Sequence, residues 1–260
     1  MIPSPTLKKE FQSRQRIFGA WTSLGHPSIT EIFTQAGVGF IGIDIEHSTI
    51  SQEQSQRIIA ASQAAGVRCL PRIASHNMEM IKRLLDSGAD GIICPMVETP
   101  KDVENLIRWS KYTPIGQRSY GISRAQNYGF DFAEYARRWN ESSVLIIQVE
   151  SVLGVENIEK LLQYPEVDGV MIGPYDLSGS LGVPGELQHP RVVESMNHVI
   201  KACAKLGKSC GTQIVEPNPT NIAAAFATGY TFVVLSSDVF LLWKWSACMK
   251  EMITQSKNSK

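Results

Sequence analysis

Short apolar segments alternate with segments of helical spacing along almost the whole chain, and this alternation constrains the fold more than any other feature. Several of the apolar segments contain hardly any polar residue, which is typical of parallel strands that are covered on both faces. We predict strands at Phe18–Ser23, Phe40–Ile45, Arg68–Ile73, Gly91–Val97, Val144–Glu150, Gly169–Ile172, Ser209–Ile214 and Thr231–Leu235.

The intervals between these segments show the apolar spacing of amphipathic helices. Glycines follow many of them, such as Gly37, Gly66, Gly88, Gly207 and Gly229, which suits left-handed C-caps. We predict helices at Ile29–Ala36, Gln52–Ala65, Asn77–Asp86, Pro100–Tyr112, Gly154–Tyr164, Pro190–Lys205, Asn218–Ala227 and Val239–Thr254.

Eight consecutive strand–helix units favour a parallel sheet that closes into a (β/α)8 TIM barrel. A doubly wound sheet is the alternative, although no GxGxxG turn follows an early strand. We expect one domain over residues 1–260, with 1–16 as a polar N-terminal extension and 255–260 as a flexible tail. Thr113–Ser143 is predicted to form a long loop after the fourth strand, with a short helix near Phe130–Trp139; such loops are usually functional.

Composition and charge exclude several classes of function. The 25 basic and 25 acidic residues balance, and no basic patch indicates a nucleic-acid partner. The N-terminus lacks the apolar core of a signal peptide, and no apolar run approaches the roughly 18 residues of a membrane span. The five cysteines show neither close pairing nor CxxC spacing, which favours reduced thiols in a cytoplasmic protein.

Ionisable and amide side chains gather where the predicted strands end, and the active sites of such barrels form at that end. Glu150 and Asp176 follow neighbouring strands, and two carboxylates there suggest Mg²⁺ or Mn²⁺. The absence of a second histidine or a cysteine nearby disfavours a closed zinc site. The candidates at the strand ends are Asp44, Glu46, His47, Arg72, Gln148, Glu150 and Asp176.

Each candidate also has an ordinary structural explanation. Glu150 could be a solvated strand end, and Asp176 could cap a short helix. Arg72 could form a structural salt bridge or stabilise a substrate oxyanion. His47 could be a surface residue, but a neighbouring carboxylate would make it a better base.

The alternation of side chains along a strand also bears on the directions of the two carboxylates near His47. If the strand persists that far, alternation points Glu46 away from the site, so we do not expect a metal ligand there. Asp44 is expected to orient His47 or an incoming substrate. Asp86 sits unfavourably at a helix C-terminus and is either an exposed acid or one that needs a partner.

Six separated motifs together resemble the HpcH/HpaI aldolase family, over roughly Phe18 to Leu242. These metal-dependent pyruvate aldolases are typified by 4-hydroxy-2-oxoheptanedioate aldolase and 2-keto-3-deoxy-sugar-acid aldolases. The resemblance implies a (β/α)8 barrel and a hexamer, a trimer of dimers, in which the C-terminal helix packs on a neighbouring subunit. The motifs are IGIDIEHS, CLPRI, LLDSGADGIICPMVE, GQRSYGISRAQNYG, IIQVES and GVMIGPYDLSGSLG.

The resemblance also assigns roles to individual residues. It implies that Glu150 and Asp176 bind the divalent metal, with Mg²⁺, Mn²⁺ and Co²⁺ as candidates and no organic cofactor. It makes His47 the base, with help from Asp86, and Arg72 the residue that stabilises the transition state.

The same resemblance implies a binding site for the pyruvate unit. Gln148 and the backbone at Tyr175 contact this unit, beside Gly173, Pro174 and Asp176. Tyr175 departs from the small or amide residue expected at its position, so its side chain is free to shape the aldehyde pocket.

The implied reaction is reversible cleavage of a 4-hydroxy-2-oxo acid to pyruvate and an aldehyde, through a metal-bound pyruvate enolate. No lysine ends a strand in an apolar setting, which disfavours a Schiff-base aldolase. A lyase for malyl- or citryl-CoA, a phosphoenolpyruvate-type mutase or carboxy-lyase, and a catalytically silent barrel are the alternatives. We expect the aldehyde to be selected by Gly116–Gly129, by residues near Ile214 and by a neighbouring subunit.

Overall fold

The computed structural model describes residues 6–258, and eight parallel strands in this range pair in sequence order. The first strand also pairs with the last, which closes the sheet. The predicted (β/α)8 barrel is therefore confirmed, and the doubly wound alternative is wrong. The strands are β1 (Ile17–Thr22), β2 (Phe40–Asp44), β3 (Arg68–Arg72), β4 (Gly91–Cys94), β5 (Val144–Val149), β6 (Gly169–Ile172), β7 (Ser209–Ile214) and β8 (Phe232–Leu235).

Helices surround this barrel, and side-chain caps fix where several of them begin. Ser51, Thr99 and Asn218 each form a capping box with the residue three positions later. The predicted helix Gly154–Tyr164 is divided into two short helices. The helices are α1 (Thr6–Gln12), α2 (Pro27–Thr34), α3 (Gln52–Ala64), α4 (Met78–Asp86), α5 (Pro100–Ser110), α6 (Phe132–Ser142), α7 (Val152–Glu156), α8 (Ile158–Leu161), α9 (Pro174–Ser180), α10 (Pro190–Lys205), α11 (Pro219–Thr228) and α12 (Asp238–Asn258).

The N-terminal helix closes one end of the barrel, so the prediction that residues 1–16 form a polar extension is wrong for 6–12. Leu7 and Phe11 share one face of α1 and are buried in the barrel interior. The Phe11 ring lies 5.2 Å from the Phe232 ring, at the start of β8. Two apolar residues at i and i+4 are enough to bury one face of this helix, although its average composition is polar.

The region predicted as a loop after the fourth strand follows α5 instead, so it lies at the amino-terminal end of the barrel. It contains a short 3-10 helix at Arg124–Gly129 and the helix α6, which confirms the short helix predicted near Phe130–Trp139. Within one chain, Gly116–Gly129 is therefore remote from the strand ends that carry the site. This segment therefore cannot contact an aldehyde bound in the site of its own subunit, as was predicted for it.

The last helix extends through residues that were predicted to form a flexible tail. Residues 255–258 form its final turn, and 259–260 lie outside the described residues. Within α12 only Asp238 is buried, and large apolar side chains such as Trp243 and Trp245 are more than half exposed. No helix in the described part of the chain is long and apolar enough to cross a membrane.

Two buried lysines meet beneath the barrel. Lys8 donates to both carboxylate oxygens of Asp168, at 2.6 and 2.7 Å, and to the carbonyl oxygen of Ser143. Lys111 Nζ lies 2.8 Å from the same carbonyl oxygen and 2.6 Å from the Ser143 hydroxyl. Burial, with the nearby Lys8 ammonium, lowers the pKa of Lys111 to about 7.

We predict that Lys111→Met removes a pH dependence of stability. Between pH 7 and about 10, the unfolded lysine binds a proton that the folded one does not, since its unfolded pKa is about 10.4. Folding stability therefore rises with pH across this window, by at most about 1.4 kcal/mol per pH unit, and this contribution is constant below pH 7. Urea unfolding at pH 7, 8 and 9 measures the slope.

The exposed Lys201 on α10 provides the matched control, Lys201→Met, which should keep the wild-type slope. Lys111→Met should also be the more stable protein at pH 7, because no charge has to be buried. Parallel slopes for Lys111→Met and wild type would contradict the assignment.

Candidate active site

The carboxyl ends of the strands bring together the acidic, basic and amide residues that the sequence singles out. β2 ends at Asp44, β3 ends at Arg72, and β5 carries Gln148 just before Glu150. Asp176 lies in the first turn of α9, directly after β6. The fold therefore places these residues at one end of one barrel, as the sequence predicts.

An ion pair between neighbouring strands forms one side of this site. Arg72 Nη2 lies 2.8 Å from Asp44 Oδ1, and the guanidinium carbon lies 5.2 Å from the centre of the buried Trp21 ring. Burial alone would raise the pKa of Asp44. The Arg72 charge, with hydrogen bonds from His47 and Trp21, outweighs burial and holds the pKa of Asp44 below its usual value.

Glu46 faces this ion pair, so the prediction that it points away from the site is wrong. Its Oε2 lies 3.2 Å from Arg72 Nε. Strand alternation does not reach Glu46, because β2 ends at Asp44 and the chain then turns, with Ser48 donating to the Asp44 carbonyl. Burial raises the pKa of Glu46 although Arg72 lowers it, and the nearby Asp44 and Asp176 raise it further.

His47 lies at the rim of the site, where 67% of its side chain is exposed. Its Nε2 is 3.8 Å from Glu46 Oε2, and its backbone N–H donates to Asp44 Oδ1 at 3.0 Å. Asp44 therefore fixes the His47 backbone and the Arg72 guanidinium, and Glu46 is the carboxylate that approaches the imidazole.

Asp86 lies elsewhere. It ends α4 at the amino-terminal end of the barrel, where its carboxylate is 2.8 Å from Arg118 Nη2. The Arg118 guanidinium is buried over the rings of Tyr112 and Trp139. The predicted assistance of Asp86 to His47 is therefore not possible within one chain, and the partner that its helix position requires is Arg118.

Glu150 is the most deeply placed of the predicted metal ligands, with 3% of the residue exposed. Its Oε1 accepts a hydrogen bond from the Met96 N–H at 2.7 Å, and its Oε2 accepts one from Gln148. Burial raises the pKa of Glu150 against these hydrogen bonds, and the charges of Asp176 and Glu46 raise it further. Three carboxylates thus repel one another at this position.

The residues present fit a divalent cation. A cation would relieve the repulsion among Glu46, Glu150 and Asp176. The buried Gln148 Oε1, which has no hydrogen-bond partner in the described part of the chain, could accept from a water on the cation. Among residues 6–258 no three His, Cys, Asp or Glu side chains converge as a closed metal site. An open site with two carboxylates suits Mg²⁺ or Mn²⁺ better than structural zinc.

Gly173 leaves room beside these side chains. A Cβ at this position would meet the Glu150 side chain, with Gln148 Nε2 about 3.0 Å away. Pro174 starts α9 directly after Gly173, and Tyr175, which is 64% exposed, stands at the mouth. Two of the predicted substrate-binding residues, Gly173 and Gln148, therefore lie against Glu150.

Comparisons with known proteins identify the family of this chain. The model of the HpcH/HpaI aldolase/citrate lyase family matches residues 17–244. The chain belongs to that family. The predicted resemblance is thus confirmed, and the chain is an enzyme of the aldolase and lyase class.

Individual relatives are similar over nearly their whole length. A hydroxypyruvate/pyruvate aldolase of Roseobacter denitrificans is 32% identical over 93% of this chain and 94% of its own. A 5-keto-4-deoxy-D-glucarate aldolase of Salmonella paratyphi C is 29% identical over 89% of this chain and 90% of its own. An HpcH/HpaI aldolase/citrate lyase family protein from Burkholderia cenocepacia superposes with a TM-score of 0.90 at 28% identity, covering 96% of this chain and all of that one.

We predict that Asp44→Ala lowers the free energy of unfolding by about 3 kcal/mol, because it leaves the Arg72 guanidinium buried without its main partner. Glu53→Ala is the matched control. It breaks the Glu53–Arg57 pair on the surface of α3, where the side chains are 73% and 64% exposed, and it should change stability by less than about 1 kcal/mol. Urea unfolding measures both, and equal losses would contradict the importance of the buried pair.

Proposed function

We propose that this chain reversibly cleaves a 4-hydroxy-2-oxo acid to pyruvate and an aldehyde, with the help of a divalent metal ion. One observation carries the proposal: the Arg72 guanidinium and the repelling carboxylates of Glu150 and Asp176 belong to the same strand ends. Together they provide positive charge for an oxyanion and a place for a cation. Two aldolases among the relatives support the same reaction class.

Glu150 and Asp176 would hold the metal ion, which would be Mg²⁺, Mn²⁺ or Co²⁺. When bound, it would act as a Lewis acid toward the oxygens of the 2-oxo acid. Glu150 is held by the Met96 N–H and the Gln148 amide, so its oxygens are oriented before any ligand arrives.

The remaining residues of the site have distinct roles in this proposal. His47 accepts the proton of the 4-hydroxyl group, the bond between C3 and C4 breaks, and C4 leaves as the aldehyde carbonyl. The electron pair of that bond forms the enolate of pyruvate, and Arg72 stabilises the negative oxygen. Protonation at C3 then gives pyruvate.

The pyruvate unit would bind beside the segment 173–176. Gln148 and the backbone at Tyr175 contact it, beside Pro174 and Asp176. The first N–H groups of a helix have no intrahelical acceptor, so those at the start of α9 are free to meet a carboxylate. The exposed Tyr175 side chain stands where it could contact the aldehyde part.

We also propose that the protein is a homo-oligomer in which α12 packs against another copy, as in a hexamer built as a trimer of dimers. The helix exposes Leu241, Leu242, Trp243, Trp245 and Met249, and an apolar surface of this kind is typical of an interface. The partners are thus small substrates and further copies of the chain. The five cysteines are free thiols, which supports a reducing, cytoplasmic location.

We predict that pyruvate release from a racemic 4-hydroxy-2-oxo acid stops after treatment with EDTA and returns with Mn²⁺. Glu150→Gln should bind Mn²⁺ at least tenfold more weakly, because it loses a negative ligand that is already oriented. A lactate dehydrogenase assay measures pyruvate. Activity that survives metal removal, or activity confined to CoA thioesters, would contradict the proposal.

We predict that the double variant Leu242→Glu/Trp245→Glu forms smaller particles than wild type, because charge is unfavourable in an apolar interface. Light scattering after gel filtration measures the mass. Lys250→Glu/Lys257→Glu replaces two positive charges on the same helix by two negative ones without replacing apolar residues, and it should keep the wild-type mass. If both doubles keep that mass, α12 is not the interface.

A further inference from the structure

A histidine outside the site described above, His76, contacts the loop at Pro95 and Met96, whose backbone donates a hydrogen bond to Glu150. His76 lies between β3 and α4, and its Nε2 is 2.7 Å from the carbonyl oxygen of Pro95. A carbonyl oxygen only accepts hydrogen bonds, so Nε2 carries the proton. The other ring nitrogen, Nδ1, faces Asp102 Oδ1 at 3.8 Å.

The Pro95 carbonyl and the Met96 N–H belong to the same peptide group. This peptide is trans, so the two groups point in opposite directions. His76 holds the carbonyl on one side, and Glu150 Oε1 accepts from the N–H on the other side at 2.7 Å. Fixing the direction of the carbonyl therefore fixes the direction of the N–H.

The backbone conformation of Met96 is strained, and rotation of this peptide would relieve the strain. Its φ of 51° lies in the left-handed region, which is unfavourable for a non-glycine residue because the Cβ atom crowds the following carbonyl oxygen. A rotation of the Pro95–Met96 peptide would release this strain and take the N–H away from Glu150. On the next residue, Val97 N donates to the carbonyl oxygen of Gln148 at 3.1 Å, so the loop is anchored to β5 just beyond the strained position.

We propose that His76 is a positioning residue for the metal ligand Glu150, acting through the Pro95–Met96 peptide. This inference rests on the proposed role of Glu150 in the aldolase reaction. The His76 hydrogen bond holds the strained peptide in the orientation that the carboxylate needs. Without it the peptide rotates, Glu150 loses its backbone donor, and the carboxylate is no longer oriented for the cation.

Asp102 lies beside the other edge of the His76 ring. Its Oδ2 accepts from the Thr99 N–H at 2.8 Å and from the Glu98 N–H at 3.2 Å, as the cap of α5. The carboxylate is therefore fixed, and its Oδ1 lies 3.8 Å from His76 Nδ1, too far for a hydrogen bond. The contact between Nε2 and the Pro95 carbonyl oxygen is thus the one that fixes the ring.

Mn²⁺ binding to the metal-free protein, followed by electron paramagnetic resonance, tests this inference without relying on activity. His76→Leu should weaken Mn²⁺ binding about tenfold, the lower end of what losing an outer-sphere contact costs. His76→Gln keeps an N–H donor and should retain most of the affinity. His198→Leu removes a histidine on α10 and should bind Mn²⁺ as wild type does.

A second pair of variants tests the strained peptide. Glycine adopts the left-handed conformation without strain, so His76→Leu/Met96→Gly should recover most of the affinity that His76→Leu loses. In kinetics, His76→Leu should regain kcat at saturating Mn²⁺, because only positioning of the ligand is lost. Misfolding of the variant would not respond to added metal in this way.

The outcomes separate this inference from the proposed function. If wild type and Glu150→Gln bind Mn²⁺ equally, the metal assignment fails, and the role of His76 fails with it. If Glu150→Gln loses Mn²⁺ but His76→Leu binds it as wild type does, only the role of His76 is wrong. If His76→Leu/Met96→Gly is no tighter than His76→Leu, the route through the strained peptide is wrong.

Discussion

The charge balance around Arg72 is the interaction on which the rest of the site depends. Arg72 ends β3 and is held by Asp44 at the end of β2, by Glu46 in the following turn and by the Trp21 ring beneath it. Neighbouring parallel strands place these groups in register, since Asp44 is the pairing partner of Arg72. A guanidinium that is oriented from three directions keeps its position while charge develops on a substrate.

Across the barrel, no cationic side chain among residues 6–258 forms such a pair with Glu150 or Asp176. Glu150 is buried and has a raised pKa, and the charges of Glu46 and Asp176 add to the repulsion. A protein that places negative groups together without a matching cation loses stability unless a ligand compensates for it. The arginine side of the site therefore has its counter-charges, whereas the carboxylate side would gain one from the proposed cation.

The two ends of the barrel differ in their contacts: buried packing and ion pairs lie at the amino-terminal end, and the candidate active site lies at the carboxyl end. At the amino-terminal end, α1 inserts Phe11 into the interior and Lys8 pairs with Asp168, so buried contacts close this end. Asp86 and Arg118 also belong to that end. At the carboxyl end, the loops carry exposed groups such as His47 and the strained Met96.

Strand order and the gathering of most candidate residues at one end of the barrel could be predicted from the sequence, because apolar runs define the strands and the ends of parallel strands meet in one place. The direction of Glu46 could not, since it depends on where β2 stops, and alternation has no meaning beyond that residue. The partner of Asp86 and the burial of α1 depend on residues that are distant in the chain. The contact between His76 and Pro95 depends on two loops that only the folded barrel brings together.

Exchange of the methyl hydrogens of pyruvate in D₂O reports formation of the enolate without any aldehyde, so it isolates the step that Arg72 and the proposed cation would assist. We expect the wild-type protein with Mg²⁺ to exchange these hydrogens, as followed by the loss of the methyl signal in proton NMR spectra. The exchange should disappear with EDTA, in Glu150→Gln and in Arg72→Ala. Exchange that persists in Glu150→Gln or Arg72→Ala at the wild-type rate would contradict the roles proposed for these residues.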